Sequence, residues 1–267
     1  MSRVVIRTGL CLFLIMSGLA PSMAQTLEDF AREAGIPILS VRILAEVPHD
    51  TACWTQGLAY ENGILYESVG EYGKSKILKL DAKTGELLQY ATLDDRYFGE
   101  GLAIFGEELI VLTWLENTAF VFDGNSLSPL RTMNYSTEGW GLATADETLV
   151  MSDGSNRLVF RSPEDFSEAG AVTVTFGKRY LHNLNELEYA NDHLYANILG
   201  TDHIARIHPG NGEVTGLVDG RELRNRVGGD RVAKPMNGIA YDPESGDFFL
   251  TGKKWPTIFR ARITEQP

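Results

Sequence analysis

Cysteine is almost absent from this chain, with two in 267 residues, Cys11 and Cys53. Cys11 lies in an apolar run, Leu10 to Leu19, which follows the basic Arg3 and Arg7 and precedes the small residues Ser22-Met23-Ala24. That order describes a secretory leader, expected over 1–24 with cleavage after Ala24, too short and wrongly flanked for a membrane span. Cys11 is far from the cleavage point, so a lipid-anchored cysteine is not expected. Processing leaves Cys53 alone, and an intramolecular disulfide is then excluded even in the oxidising compartments that permit one. A periplasmic or secreted location is expected.

Positive charge is also scarce. The chain has 24 Lys and Arg against 36 Asp and Glu, a formal net charge of −12 that becomes −14 once Arg3 and Arg7 are removed. Such a surface repels nucleic acid and anionic lipid and favours cationic ligands, a peptide's N-terminal ammonium among them. Beyond the leader no long apolar run remains, so no membrane association is expected after cleavage.

Several chemical signatures are missing as well. The five histidines (His49, His182, His193, His203, His208) show no metal-binding spacing and read as surface or structural. Asp153-Gly154-Ser155 is a fragment of a calcium loop without the rest, and a turn explains it. Phe176-Gly177-Lys178 is not a phosphate loop, no serine sits on a nucleophile elbow, and Cys53 has no cue for activation. Neither a metal nor a cofactor is expected.

What the sequence does contain is a repeat. Gln56-Gly57-Leu58-Ala59-Tyr60, Glu100-Gly101-Leu102-Ala103-Ile104 and Trp140-Gly141-Leu142-Ala143-Thr144 are followed by Asn185-Glu186-Leu187-Glu188-Tyr189 and Asn237-Gly238-Ile239-Ala240-Tyr241. The starts are 44, 40, 45 and 52 residues apart. A period in the forties with about four short strands per unit predicts an all-β, five-bladed β-propeller, a single domain over 25–267. The fifth unit lacks a fourth strand. Ser40 to Val47, with matching apolar/polar alternation, is expected to supply it, closing the ring and covering a sheet edge. Before it, residues 25–39 form an N-terminal arm, with helical spacing of Leu27, Phe30 and Ala34 over about 26 to 35 and a glycine stop at Gly35. Asp219 to Pro235 reads as a long surface loop.

In a propeller the links between blades and the links between second and third strands share one face. The leading residues of the repeat, which vary where packing would not require it, therefore converge with Trp114, Ser155, Leu199, Lys253, Lys254 and Trp255 on one mouth of the channel. Glu100 is the only acidic leading residue. It is either a partly solvated carboxylate bonded to backbone amides or, among Trp114, Trp140 and Tyr97 or Phe98, a poorly solvated group suited to proton transfer. Trp54, Trp114, Trp140 and Trp255 are wedge packing between blades in at least one case; the others suit an aromatic pocket. Lys253 is a salt-bridge partner or a group that polarises a carbonyl oxygen. Gln56, Asn185 and Asn237 suit neutral orienting groups.

These residues resemble the glutamine cyclotransferases of the plant and bacterial type. The similar stretches run in order from Pro48-His49-Asp50 and Thr55-Gln56-Gly57-Leu58 through Tyr97-Phe98-Gly99-Glu100-Gly101-Leu102 and Glu138-Gly139-Trp140-Gly141-Leu142. They continue with Leu184-Asn185-Glu186-Leu187 and Asn237-Gly238-Ile239-Ala240, and end at Thr251-Gly252-Lys253 with Trp255-Pro256. The resemblance implies a five-bladed propeller that converts N-terminal glutaminyl residues to pyroglutamyl with release of ammonia and no metal. It places the acid/base on Glu100, with Lys253 and the pocket groups Gln56, Asn185, Trp114 and Trp140 around it; Trp54 stands where the family often has Phe. Leu199 stands where the family often has Trp, which should loosen the pocket. The substrate partner is a peptide or protein N-terminus, and a monomer is expected. Rival readings of the same mouth are a non-catalytic peptide- or envelope-binding propeller and a metal-dependent lactonase.

Overall fold

The computed structural model describes residues 26–229 and 234–265. The expected leader and Gln25 lie outside them. The chain starts with a helix, α1 (Leu27–Ala34), opened by a capping box between Thr26 and Asp29 and closed by Gly35 in the left-handed conformation. Then comes β1 (Ile38–Pro48).

From there the chain builds antiparallel four-stranded units. The first is β2 (Thr55–Glu61), β3 (Ile64–Val69), β4 (Lys76–Asp81) and β5 (Leu87–Thr92). The second is β6 (Gly99–Phe105), β7 (Glu108–Thr113), β8 (Thr118–Asp123) and β9 (Pro129–Asn134). The third is β10 (Leu142–Ala145), β11 (Thr148–Ser152), β12 (Arg157–Arg161) and β13 (Glu168–Thr173). A small hairpin, β14 (Thr175–Phe176) and β15 (Arg179–Tyr180), leads to β16 (Leu184–Ala190), β17 (His193–Ile198), β18 (His203–Ile207) and β19 (Val214–Asp219). After α2 (Arg221–Arg226) the chain ends in β20 (Met236–Asp242), β21 (Asp247–Gly252) and β22 (Thr257–Glu265).

The architecture is all-β and propeller-like. Within each unit the first two strands are buried, as in β2 and β3; the fourth is largely exposed in the first three units (β5, β9 and β13), whereas β19 is mostly buried. First strands touch in a closed circuit: β2 meets β6 and β20, β6 meets β10, and β16 meets β10 and β20. The repeated glycine makes that approach possible. A Cβ on Gly101 would lie 2.6 Å from the Leu142 nitrogen, and one on Gly141 2.1 Å from the Asn185 carbonyl oxygen. The fourth repeat has Glu186 instead, and its buried carboxylate accepts from the amides of Leu58 (3.1 Å) and Ile239 (2.8 Å) across the ring.

The expected closure is present, and β1 does more than was expected of it. It pairs antiparallel with β22 from Leu39–Glu265 to Pro48–Thr257, and its first residues, Ile38 to Ser40, also pair in parallel with Leu217 to Asp219 of β19. One eight-stranded sheet results, β16-β17-β18-β19-β1-β22-β21-β20. The arm therefore ends before Ile38 rather than at 39. It is anchored too: Ala31 is fully buried in the core beside β16 to β19, and Glu28 bonds the His203 Nε2 at 2.9 Å.

The reading of Asp219 to Pro235 as one surface loop needs correction. It contains α2, whose Leu223 is fully buried with Met236 and Trp255. Six residues without a side-chain cap carry little local signal, and burial of Leu223 against the sheet holds them helical.

Candidate active site

The first strands carry a register shift at the leading residue. In β2 it falls between Thr55 and Gly57, in β6 between Gly99 and Leu102, in β16 between Leu184 and Leu187, and in β20 between Met236 and Ile239. A bulge re-aims side chains. Here it turns Gln56, Glu100 and Asn185 out of the regular alternation toward one cavity. That cavity has a volume of about 170 Å³ and is also lined by Phe98, Trp114, Trp140, Leu199 and Lys253.

Glu100 is 6% exposed, and its Oε1 accepts a hydrogen bond from Gln56 Nε2 at 2.8 Å. Burial pushes this carboxyl well above the usual carboxylate range; Lys253 pulls it back, while the charges of Glu138 and Glu116 push it further up. Lys253 is buried, which lowers its ammonium's pKa, and the Glu100 charge opposes that. Asn185 makes no side-chain hydrogen bond to another described residue and is left to bond a ligand. Phe98 meets Trp114 edge-on with ring centroids 5.7 Å apart. The aromatic beside Glu100 is thus Phe98; Tyr97 turns away onto Phe120.

Two expected pocket residues stand one layer back. The Trp54 ring lies under both Lys253 and Lys254, each Nζ 5.4 Å from its centroid, so it supports the ammonium and does not line the cavity. Asn237 is fully buried behind Gln56, with its Nδ2 3.4 Å from Gln56 Oε1 and 3.1 Å from the Thr55 carbonyl. The result is a relay from Asn237 through Gln56 to Glu100. Trp255 is core, fully buried against Phe259, with its indole N–H on the Lys234 carbonyl.

Two further acids in the ring differ from Glu100 in kind. Glu186 is bonded to backbone amides, and Glu188 accepts from the amides of Tyr189 (2.7 Å) and Tyr241 (3.1 Å). Burial raises both, Glu188 to about 8. Glu188 lines a larger cavity of about 370 Å³ at the other ends of the first strands. None of the variable leading residues reaches that cavity.

Other members of the surroundings were not expected as site residues, although Glu138 and His49 lie in stretches that carry the family resemblance. Glu138 accepts from the indole N–H groups of Trp114 and Trp140, and Glu116 accepts from the Tyr72 hydroxyl at 2.8 Å. Beneath the site His49 bonds the Trp255 carbonyl (2.8 Å) through Nδ1 and Glu67 (3.0 Å) through Nε2, and Thr55 donates to the same carboxylate at 2.7 Å. Burial works against an imidazolium there, but the Glu67 charge together with hydrogen bonding to Cys53 and Glu67 outweighs it and raises His49 to about 11. The end of β1, β3 and the 253–255 turn are tied together by this pair. Among the described residues, His49, Cys53 and Glu67 form one group with metal-ligand chemistry, and Glu28, His203 and Asp219 another. Neither touches the 170 Å³ cavity.

The profile of the glutamine cyclotransferase family matches residues 13–263. This chain belongs to that family. The glutaminyl-peptide cyclotransferase of Arabidopsis thaliana is 38% identical over 232 residues, covering 85% of this chain and 72% of that protein. A crystal structure of Myxococcus xanthus glutaminyl cyclase superposes with a TM-score of 0.81 at 36% identity, covering 87% of this chain and all of the other. The family match spans every strand that contributes to the cavity.

Proposed function

We propose that this cyclotransferase converts N-terminal glutaminyl residues of peptides or proteins to pyroglutamyl residues and releases ammonia. One observation carries the reading of the site: a single poorly solvated carboxylate, Glu100, bonded to a neutral amide and enclosed by aromatic rings beside an ammonium. At about 170 Å³ the cavity is smaller than the roughly 300–1,000 Å³ of drug-sized sites, and it suits one side chain with its amine.

The substrate's α-amine nitrogen attacks its own γ-carboxamide carbon. The new C–N bond closes a five-membered lactam, and the carboxamide C–N bond breaks. Glu100 takes the proton from the amine and returns it to the departing nitrogen, which leaves as ammonia. Gln56 occupies Oε1, so Oε2 is the oxygen that moves the proton. Lys253 stabilises charge on the carboxamide oxygen, and Asn185 orients the substrate. Phe98, Trp114 and Trp140 fold the chain into the attack geometry, because ring closure is mainly a matter of orientation. No metal is required by these steps.

The fold reading that accompanies this is five blades. The eight-stranded sheet counts as two, β16–β19 and β20–β22 completed by β1, joined edge to edge where β1 meets β19. The chain is read as an exported monomer whose leader ends at Ala24, with the acidic surface keeping it off membranes and nucleic acid. The deciding experiment measures ammonia release and a 17 Da mass loss from a Gln-initiated dipeptide with and without a chelator. No ammonia would refute the activity, and loss of activity with chelator would refute the metal-free mechanism.

A further inference from the structure

Glu138 is not a leading residue of the repeat, and nothing in the spacing marks it. In the folded chain a single oxygen, Oε2, accepts the Trp114 Nε1–H at 2.7 Å and the Trp140 Nε1–H at 2.9 Å. The two indoles come from different sheets, Trp114 from the end of β7 and Trp140 from the link before β10. An indole has one polar group, and it only donates. The orientation of each ring at an open cavity therefore depends on that bond and on the packing of the ring itself. Trp140 lies against Gly154, where a Cβ would come within 2.6 Å of the ring, and Trp114 lies against Phe98 at an interplanar angle of 66°. Packing restrains the body of each ring, and Glu138 fixes its N–H through two charge-assisted bonds.

We propose that Glu138 is a positioning residue of the glutaminyl site: its carboxylate clamps the two tryptophan walls at the spacing that admits the substrate's side chain. The clamp rests on the reading of this cavity as the glutaminyl site. A neutral tie would do for packing alone, yet the chain places a charge there, close to the reacting carboxylate. Glu100 is faced by Lys253 after β21, Glu116 after β7 and Glu138 before β10, with neutral Gln56 bonded to it and the phenols of Tyr72 and Tyr135 nearby. The Glu138 charge adds to the upward shift of Glu100. Removing that charge moves the Glu100 titration toward lower pH.

Glutamine and alanine at position 138 separate the two effects. Glu138→Gln keeps an oxygen acceptor but no charge; Glu138→Ala removes both. Glu138 is exposed, so neither change empties the core. Steady-state kinetics on a Gln-initiated dipeptide amide from pH 5 to 9, with tryptophan emission spectra of each protein, form the test. Glu138→Ala is expected to raise KM about tenfold or more with a smaller change in kcat, the mark of lost binding common to ground and transition states, and to alter the emission spectrum. Glu138→Gln is expected to keep KM within about threefold while the acid limb of kcat/KM, which reports the base of the free enzyme, shifts to lower pH. Wild-type KM and emission in Glu138→Ala would overturn the clamp, as would an equal rise in KM for both variants with an unmoved acid limb. If the wild type released no ammonia, the activity reading would fall, and the emission of Glu138→Ala would still decide whether the indoles are clamped.

Discussion

Glu100→Gln separates catalysis from stability in opposite directions. The change removes one oxygen's ability to carry a proton and leaves the shape of the side chain. Its amide oxygen still accepts from Gln56 Nε2, now 2.8 Å from Glu100 Oε1. Loss of a general acid–base group costs about 10²–10⁴-fold in rate. Stability should move the other way. Burial raises the folded-state pKa of Glu100 well above its ordinary value, so ionisation costs the native state. For a group raised in this way, the favourable contribution is present below the unfolded-state pKa, about 4.3, and is lost as pH rises through the folded-state value. The wild type pays that loss and the variant does not. The Tm of Glu100→Gln should therefore match wild type near pH 4 and equal or exceed it at pH 8. Ammonia release from a Gln-initiated dipeptide and calorimetry at the two pH values are the measurements. A variant retaining more than a tenth of the wild-type rate would make Glu100 a structural carboxylate. A Tm gap of several degrees against the variant at pH 8 would refute the electrostatic argument.

Leu199→Trp, which extends an aromatic wall of the cavity, should lower KM at similar kcat by about 1 kcal/mol of binding; unchanged KM would show that position 199 does not meet substrate. Deleting residues up to 48 removes β1 from between β19 and β22 and should give no soluble, cooperatively folding protein. Deletion up to 34 loses only α1, with Ala31 and the Glu28–His203 bond, and should leave a soluble protein of lower Tm; equal behaviour of the two truncations would contradict the role assigned to β1. If export cleaves after Ala24, Gln25 becomes the mature N-terminus and a substrate of the protein's own chemistry in trans. Intact mass should then show a 17 Da deficit in exported wild type and none in Glu100→Gln, and equal masses would count against it.

The repeat, the all-β class, the closing strand and most of the cavity were legible in the sequence because they rest on local repetition. The units bring similar faces to the ring, Gly-Leu-Ala in the first three, Glu186-Leu187-Glu188 in the fourth and Gly238-Ile239-Ala240 in the fifth, so a residue at the leading position lands at the same end of every unit. Glu100, Gln56, Asn185 and Trp140 follow from that rule, and Trp114, Leu199 and Lys253 from the links between second and third strands, which share the same face. It fails where a position depends on a neighbour's bulk. Trp54 and Asn237 share the leading end, yet Lys253 covers one and Gln56 the other. It is silent where a partner comes from another unit. Glu138 meets Trp114 from 24 residues away, His49 meets the Trp255 carbonyl across 206, and Glu186 reaches Leu58 across 128. These pairings exist only after the ring closes, because no local periodicity relates a carboxylate to a donor on a different sheet. The tertiary structure thus decided which polar groups face the cavity, which stand behind it, and that burial raises the pKa of Glu100.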